Sequence, residues 1–267
     1  MMFFKSLCPR NVFLFLFFVF MYATVIPVSC ADELPEVIRI CNDGEWAPYS
    51  YKDPRNEERG IGISVDILHE ILRRRNLKTE ITIFPWKRCM YKVEKGEYQI
   101  ITDSSRNSER ERKYLISDPL YEVHHAFYYD KTRYPDGPGI RTVEDVNSFS
   151  VGAIFGYDLD MYKFDITKID SGTKNIDSLL KKLRHKYIDL AIGYVEVCQA
   201  LAAMGKIDMT GLGRMEIPET SSHIYHVMFT RGKGGEELLE IFNKGLKQLK
   251  SEGYYQKVFQ KYGIPLE

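Results

Sequence analysis

The chain has 267 residues, with 37 basic and 37 acidic side chains and a formal charge of zero. That balance excludes the basic surplus of a nucleic-acid binder. No G-x-x-x-x-G-K-[ST] phosphate loop occurs, which excludes a P-loop nucleotide hydrolase.

The chain opens as a secretory signal peptide over residues 1–31. Lys5 and Arg10 precede the apolar run Val12–Ile26, and Ser29–Ala31 supply small residues ahead of Asp32. The run is short of the roughly 20 residues that cross a bilayer and has no basic stop-transfer flank. Cleavage after Ala31 is expected. A lipid anchor on Cys30 ranks lower, because Pro27 sits where such a signal prefers an aliphatic residue, and an uncleaved anchor ranks lower still. Removing 1–31 takes away two basic residues and no acidic ones, leaving 236 residues with 35 basic against 37 acidic side chains, formally −2. That length suits one large domain or two lobes of about 100 residues each.

Three cysteines remain: Cys41, Cys89 and Cys198. Export permits a disulfide, but an odd count leaves one thiol over and spacing does not choose the pair. The absence of C-x-x-C and C-x-x-H patterns argues against redox or zinc chemistry.

In chain order, "EVIRIC" (36–41) alternates as a strand does and runs into the aromatic, turn-rich "NDGEWAPYSY". "SVDILHEILRRRNL" sets Val65, Leu68, Ile71 and Leu72 on one helical face, with Ser64 as cap and arginines at the C-terminal end. "TEITIF" is a second strand, "PWKRCMYKVEKGEY" a helix starting at a proline, and "QIIT" a third strand. It leads into "DSSRNSERERKYLISDPLY" (103–121), where Arg106, Arg110, Arg112 and Lys113 crowd among hydroxyls. Alternating strands and helices imply an α/β lobe with a mainly parallel sheet. "YYDKTRYPDGPGI" (128–140) reads as a linker. The pattern then restarts: helix "TVEDV", strand "SFSVGAI", a turn at Gly156, helix "NIDSLLKKLRHK", strand "IDLAIG", helix "EVCQALAAMG" and strand "SHIYHVMFT". Two closing helices break near Gly253.

Six motifs occur in order: "DGEWAPYSY", "GIGISVDIL", "VEKGEYQIIT", "SSRNSERERKYLISDPLY", "TVEDV" and "ELLEIFNKGLKQLKSEGYYQKVFQKYG". By these the chain resembles the bacterial extracellular solute-binding proteins of family 3. These are type II periplasmic binding proteins of the polar amino-acid type, with the fold of the ionotropic glutamate receptor ligand-binding core. The resemblance covers 36–264. It implies an α/β, two-lobed clamp, each lobe a mainly parallel sheet flanked by helices, with lobe one at 32–127 plus 225–267 and lobe two at 128–224. Two hinge crossings are expected, near "HAFYY" and "IYHVM". The ligand would lie between the lobes and hold them shut.

Ser108 and Glu111 form an S-x-x-E capping box, which puts Arg110 in the first turn of a helix. Its guanidinium offers a bidentate clamp for a carboxylate there. The resemblance assigns Arg110 to a ligand carboxylate, with Ser105 assisting and Asp103 near the ligand amine. It makes Trp46 and Trp86 aromatic walls. Arg88 is a candidate second anion contact, Asp43 a candidate polar contact, and Tyr49 and Tyr51 are less specific. In lobe two, Gly156 matches a glycine-hydroxyl turn, but Tyr157 replaces the expected Ser or Thr. Tyr194 stands where the family supplies an acid for the ligand ammonium, and Glu196 takes that role if the turn is shifted.

His124 and His125 fall on opposite faces of a strand, and His223 and His226 diverge, so no metal site is expected, nor any cofactor. The resemblance implies a monomer in the periplasm that captures a small polar ligand, an amino acid or related carboxylate, and hands it to an inner-membrane ABC permease. Two alternatives use the same fold. One is an exported dehydratase with Glu196 as proton donor; the other is a sensor for a membrane signalling partner.

Overall fold

The computed structural model describes residues 34–220 and 222–264; the signal peptide and the Cys30 anchor lie outside the described residues. Residues Asp32–Glu267 form a compact unit of their own.

Strand β1 (Val37–Asn42) is followed by three short strands, β2 (Glu45–Trp46), β3 (Ser50–Asp53) and β4 (Asn56–Ile61), which pair into a small antiparallel sheet. Next come α1 (Ile63–Arg73), β5 (Lys78–Ile83), α2 (Trp86–Glu94), β6 (Ile100–Ser105), α3 (Ser108–Lys113), β7 (Leu115–Ile116) and β8 (Tyr121–Asp130). After the 131–142 segment follow α4 (Val143–Val146), β9 (Val151–Ile154), β10 (Asp170–Thr173), α5 (Ile176–Arg184), β11 (Leu190–Tyr194), α6 (Val195–Ala203) and β12 (Leu212–Glu216). The return consists of β13 (Ser222–Phe229), α7 (Gly235–Ser251) and α8 (Tyr254–Lys261).

The main sheet runs β10-β9-β11-β8-β13-β6-β1-β5. At one end β1 lies parallel between β5 and β6; at the other β9 lies parallel between β10 and β11. The middle is antiparallel. Tyr121–His124 of β8 pair with β13, while His125–Asp130 of the same strand pair with β11 and β12. One strand therefore belongs to both halves of the molecule.

The helical period places Ile63, Ile67, Leu68 and Ile71 of α1 against the sheet with Leu238, Phe242, Leu246 and Leu249 of α7. In the second half Ile176, Leu179, Leu180 and Leu183 of α5 do the same. Asn175 caps α5 by accepting from the Ser178 amide.

Two expected caps are placed elsewhere. Helix α1 starts from Gly62, whose φ of +134° and proximity to Tyr49 suit glycine; a Cβ there would stand 2.2 Å from the Tyr49 carbonyl oxygen. Ser64 instead sends its hydroxyl to Asp103. At α3 the cap is Asn107, which accepts from the Arg110 amide at 2.9 Å, while Glu111 pairs with Arg106 at 2.5 Å. The expected linker at 128–140 begins inside β8, which continues to Asp130.

Cys41 on β1 and Cys89 on α2 are disulfide-bonded, with Cα atoms 5.6 Å apart, and Cys198 on α6 is a buried free thiol.

Candidate functional site

Strand β6 carries the first functional feature. Ile101 pairs with Met228 and Ser104 with His226, so Thr102 and Asp103 together face Val227 alone. This bulge holds Asp103 at φ +64°, a left-handed backbone that is uncommon for a side chain other than glycine or asparagine. The extra residue turns the Asp103 carboxyl into a cavity between the two halves. Oδ1 of Asp103 accepts from Ser64 Oγ and from the Tyr121 hydroxyl at 2.6 Å. Oδ2 makes no hydrogen bond of good geometry among the described residues, although the residue is only 8% exposed. The Ser50 and Thr102 hydroxyls temper its charge, yet burial dominates and raises its pKa above the usual carboxylate range.

Arg110 folds back beneath the end of β6. Its Nη1 donates to the Ser105 carbonyl at 2.9 Å and to Ser105 Oγ, and its guanidinium lies 5.5 Å from the Trp86 ring centroid. Facing it from the second half is Asp158, in the turn after β9. Asp158 Oδ2 accepts from Ser105 Oγ and Asn107 Nδ2, both at 2.9 Å, and lies 3.9 Å from Arg110 Nη1. Both ionic side chains are nearly fully buried.

Aromatic rings make the walls. Trp46 meets Tyr194 at 4.7 Å, Tyr225 at 5.1 Å and Tyr157 at 5.6 Å between centroids. The Tyr157 hydroxyl reaches Asp43 Oδ2 at 3.4 Å, and the Glu45 amide donates to Asp43 Oδ1 at 3.0 Å. Loss of water around Asp43 pushes its carboxyl up to about 7. The space there is about 20 Å³, room for roughly one water and less than an organic ligand needs.

The cavity thus brings together Asp43, Trp46, Trp86, Asp103, Ser105, Arg110, Tyr157 and Tyr194 of the expected residues. Three others stand apart from its lining. Arg88 is exposed and covers the Phe84 ring at 4.6 Å. Gly156 forms a turn at φ +81° against the Lys87 side chain. Glu196 opens α6 and binds His124, through Nδ1 at 2.6 Å and the amide at 3.0 Å. It is not among the described residues that line the cavity. His125, on the opposite face from His124, is buried against the Tyr162 hydroxyl, and burial lowers its pKa to about 3.

Four lining residues escaped the sequence reading: Ser50, Thr102, Asp158 and Tyr225. Asp158 had a signal, an acid directly after Gly156-Tyr157. The others sit within strands and carry no local mark.

The geometry has relatives. A "Probable histidine-binding protein" of Neisseria gonorrhoeae is 20% identical over 236 residues, covering 85% of this chain and 83% of that protein. The "Lysine/arginine/ornithine-binding periplasmic protein" of Escherichia coli (strain K12) is 24% identical over 240 residues, covering 86% and 88%. Among solved structures, the substrate binding protein of an amino acid ABC transporter matches with TM-score 0.69 at 18% identity, over 85% of this chain and 98% of that one. A histidine kinase sensor domain similar to periplasmic binding proteins matches with TM-score 0.72 at 19% identity, over 85% and 95%. A family model matches residues 38–265, most of the chain, and with it the protein belongs to the bacterial extracellular solute-binding proteins, family 3.

Proposed function

We propose that this solute-binding protein captures a small nitrogen-bearing solute of amino-acid size and delivers it to an ABC permease in the membrane. The lobes in this reading are 32–127 plus 225–267 and 128–224, residues 1–31 direct export, and the site of action is the periplasm. The observation that carries it is one cavity to which both halves contribute. Asp43, Trp46, Asp103, Ser105 and Arg110 come from the first, and Tyr157, Asp158 and Tyr194 from the second. A ligand touching both sets favours the closed form by its differential affinity. The relatives that bind histidine or lysine, arginine and ornithine support the ligand's size and its basic character. In this reading the protein binds and releases without a chemical step.

Thermal melting of the chain from Asp32 tests it, against a panel of amino acids, amines and small carboxylates. A ligand that binds only the folded state raises the midpoint by mass action. Saturable shifts with nitrogen-bearing solutes are expected; a flat response across the panel rejects the reading. The sensor-domain match favours one further reading, in which the closed form engages a signalling protein instead of a permease. Uptake of the identified ligand by cells lacking the protein separates the two.

A further inference from the structure

The solute-capture reading leaves the ligand class open, and the charges around the cavity narrow it. Arg110 is the sole cation among the described residues that line it. Its guanidinium is already matched: Asp158 brings a carboxylate from the opposite half, fixed by Ser105 and Asn107 at 2.9 Å. An incoming carboxylate would have to share that guanidinium with Asp158, setting two buried acids against one cation.

The rest of the cavity is made for the opposite charge. Asp103 presents Oδ2, buried and making no hydrogen bond of good geometry among the described residues, with the Ser50 and Thr102 hydroxyls acting on its charge. Asp43, just after β1, lines the same cavity with a single amide and a long hydroxyl contact. Trp46, Tyr157, Tyr194 and Tyr225 line it as well, packed ring against ring. Ring faces attract cations, more strongly when water is excluded. With all three carboxyls ionised against one guanidinium, the site carries two negative charges in excess. A zwitterion corrects none of that excess and an anion enlarges it; an organic cation reduces it.

We propose that Asp158 is a built-in substitute for a ligand carboxylate, and that the site selects a carboxylate-free organic cation, a primary amine or diamine held by Asp103 and Asp43 within the aromatic walls. The inference rests on the solute-capture reading and names its ligand class.

Matched pairs test it: histidine against histamine, arginine against agmatine, and lysine against 1,5-diaminopentane. Each is titrated into the chain from Asp32 by melting and by the fluorescence of Trp46 and Trp86, both of which line the cavity. At least one amine is expected to bind ten-fold or more tightly than its parent amino acid. Asp158→Ala frees Arg110 and is expected to move that preference at least ten-fold towards the amino acid. Asp103→Asn is expected to weaken amine binding ten-fold or more. Where it fails to melt cooperatively, Asp43→Asn reads the same cage.

An amino acid that outbinds its amine in the wild-type protein overturns the inference and leaves solute capture standing. So does a preference unmoved by Asp158→Ala, or amine affinity unmoved by the cage variants. Silence towards both members of every pair overturns the inference, and solute capture falls with it only where the whole panel of amino acids, amines and small carboxylates is silent too.

Discussion

The indole nitrogen of Trp46 donates to the hydroxyl of Tyr121 at 2.9 Å. Tyr121 in turn donates to Asp103 Oδ1 at 2.6 Å, so one phenol both holds a cavity wall and braces the strained acid. Tyr121→Phe removes both bonds while keeping the ring stacked on Tyr49 at 3.8 Å. It strands a buried indole N–H, which costs about 1–3 kcal/mol. Urea unfolding should show the loss as a lower midpoint at unchanged slope; a midpoint equal to wild type would show the relay to be energetically idle.

Arg110 and Asp158 face each other across the two halves and should behave as one unit. Each alanine variant leaves the other charge buried, so the single losses are expected to exceed the loss in the double variant's second step. A double-mutant cycle should give a coupling of about 1–3 kcal/mol. Additive losses would mean that Ser105 and Asn107, not the guanidinium, hold Asp158 in place.

Asp43 makes a prediction about pH. Its carboxyl has a folded-state pKa of about 7, above the 3.8 of the unfolded chain, so the folded state holds the proton more firmly. This group's contribution is therefore full below about pH 4 and is lost as pH climbs towards 7. Asp43→Asn keeps the acceptor for the Glu45 amide but cannot ionise. Relative to wild type, the variant should gain up to about 1.4 kcal/mol of stability per pH unit through that window. Parallel stability curves for the two proteins would refute the elevated value.

The disulfide between Cys41 and Cys89 ties β1 to α2 across 48 residues of sequence. Replacing both cysteines with alanine should lower stability by about 2–4 kcal/mol. In denaturant, the chain from Asp32 should titrate one thiol without reductant, that of Cys198, and three after reduction. Three thiols before reduction would disprove the bridge.

Much of the architecture was legible in the order of periodicities. The strands β1, β5, β6 and β11 alternate or run apolar as expected, and the break between α7 and α8 falls at Gly253, at φ +71°. The small sheet β2–β4 was not, because its strands are short and lie in a segment rich in turn residues. In the site, Arg110, Ser105, Trp46 and Trp86 were found through ordered motifs. Asp103 was named, but its role depends on a bulge, and a bulge is decided by how β6 registers against β13, more than 120 residues later. Asp158 was missed for a related reason. Its partners Ser105 and Asn107 are more than 50 residues away, and a single acid in a turn says nothing about which arginine it will meet.

Strand β8 pairs with β13 through Tyr121 and Tyr225, and those rings stack nearly parallel, 5.6 Å apart. Tyr225 also lines the cavity, and β8 continues into the second half of the molecule. In the solute-capture reading, the floor under the ligand is then part of the strand that joins the two halves. If the halves rotate about that strand, pocket shape and opening angle are one mechanical coordinate, and a change in ring packing at Tyr121 or Tyr225 should alter release rate and affinity together. A partner on the membrane that grips both halves would then learn of occupancy from the angle alone.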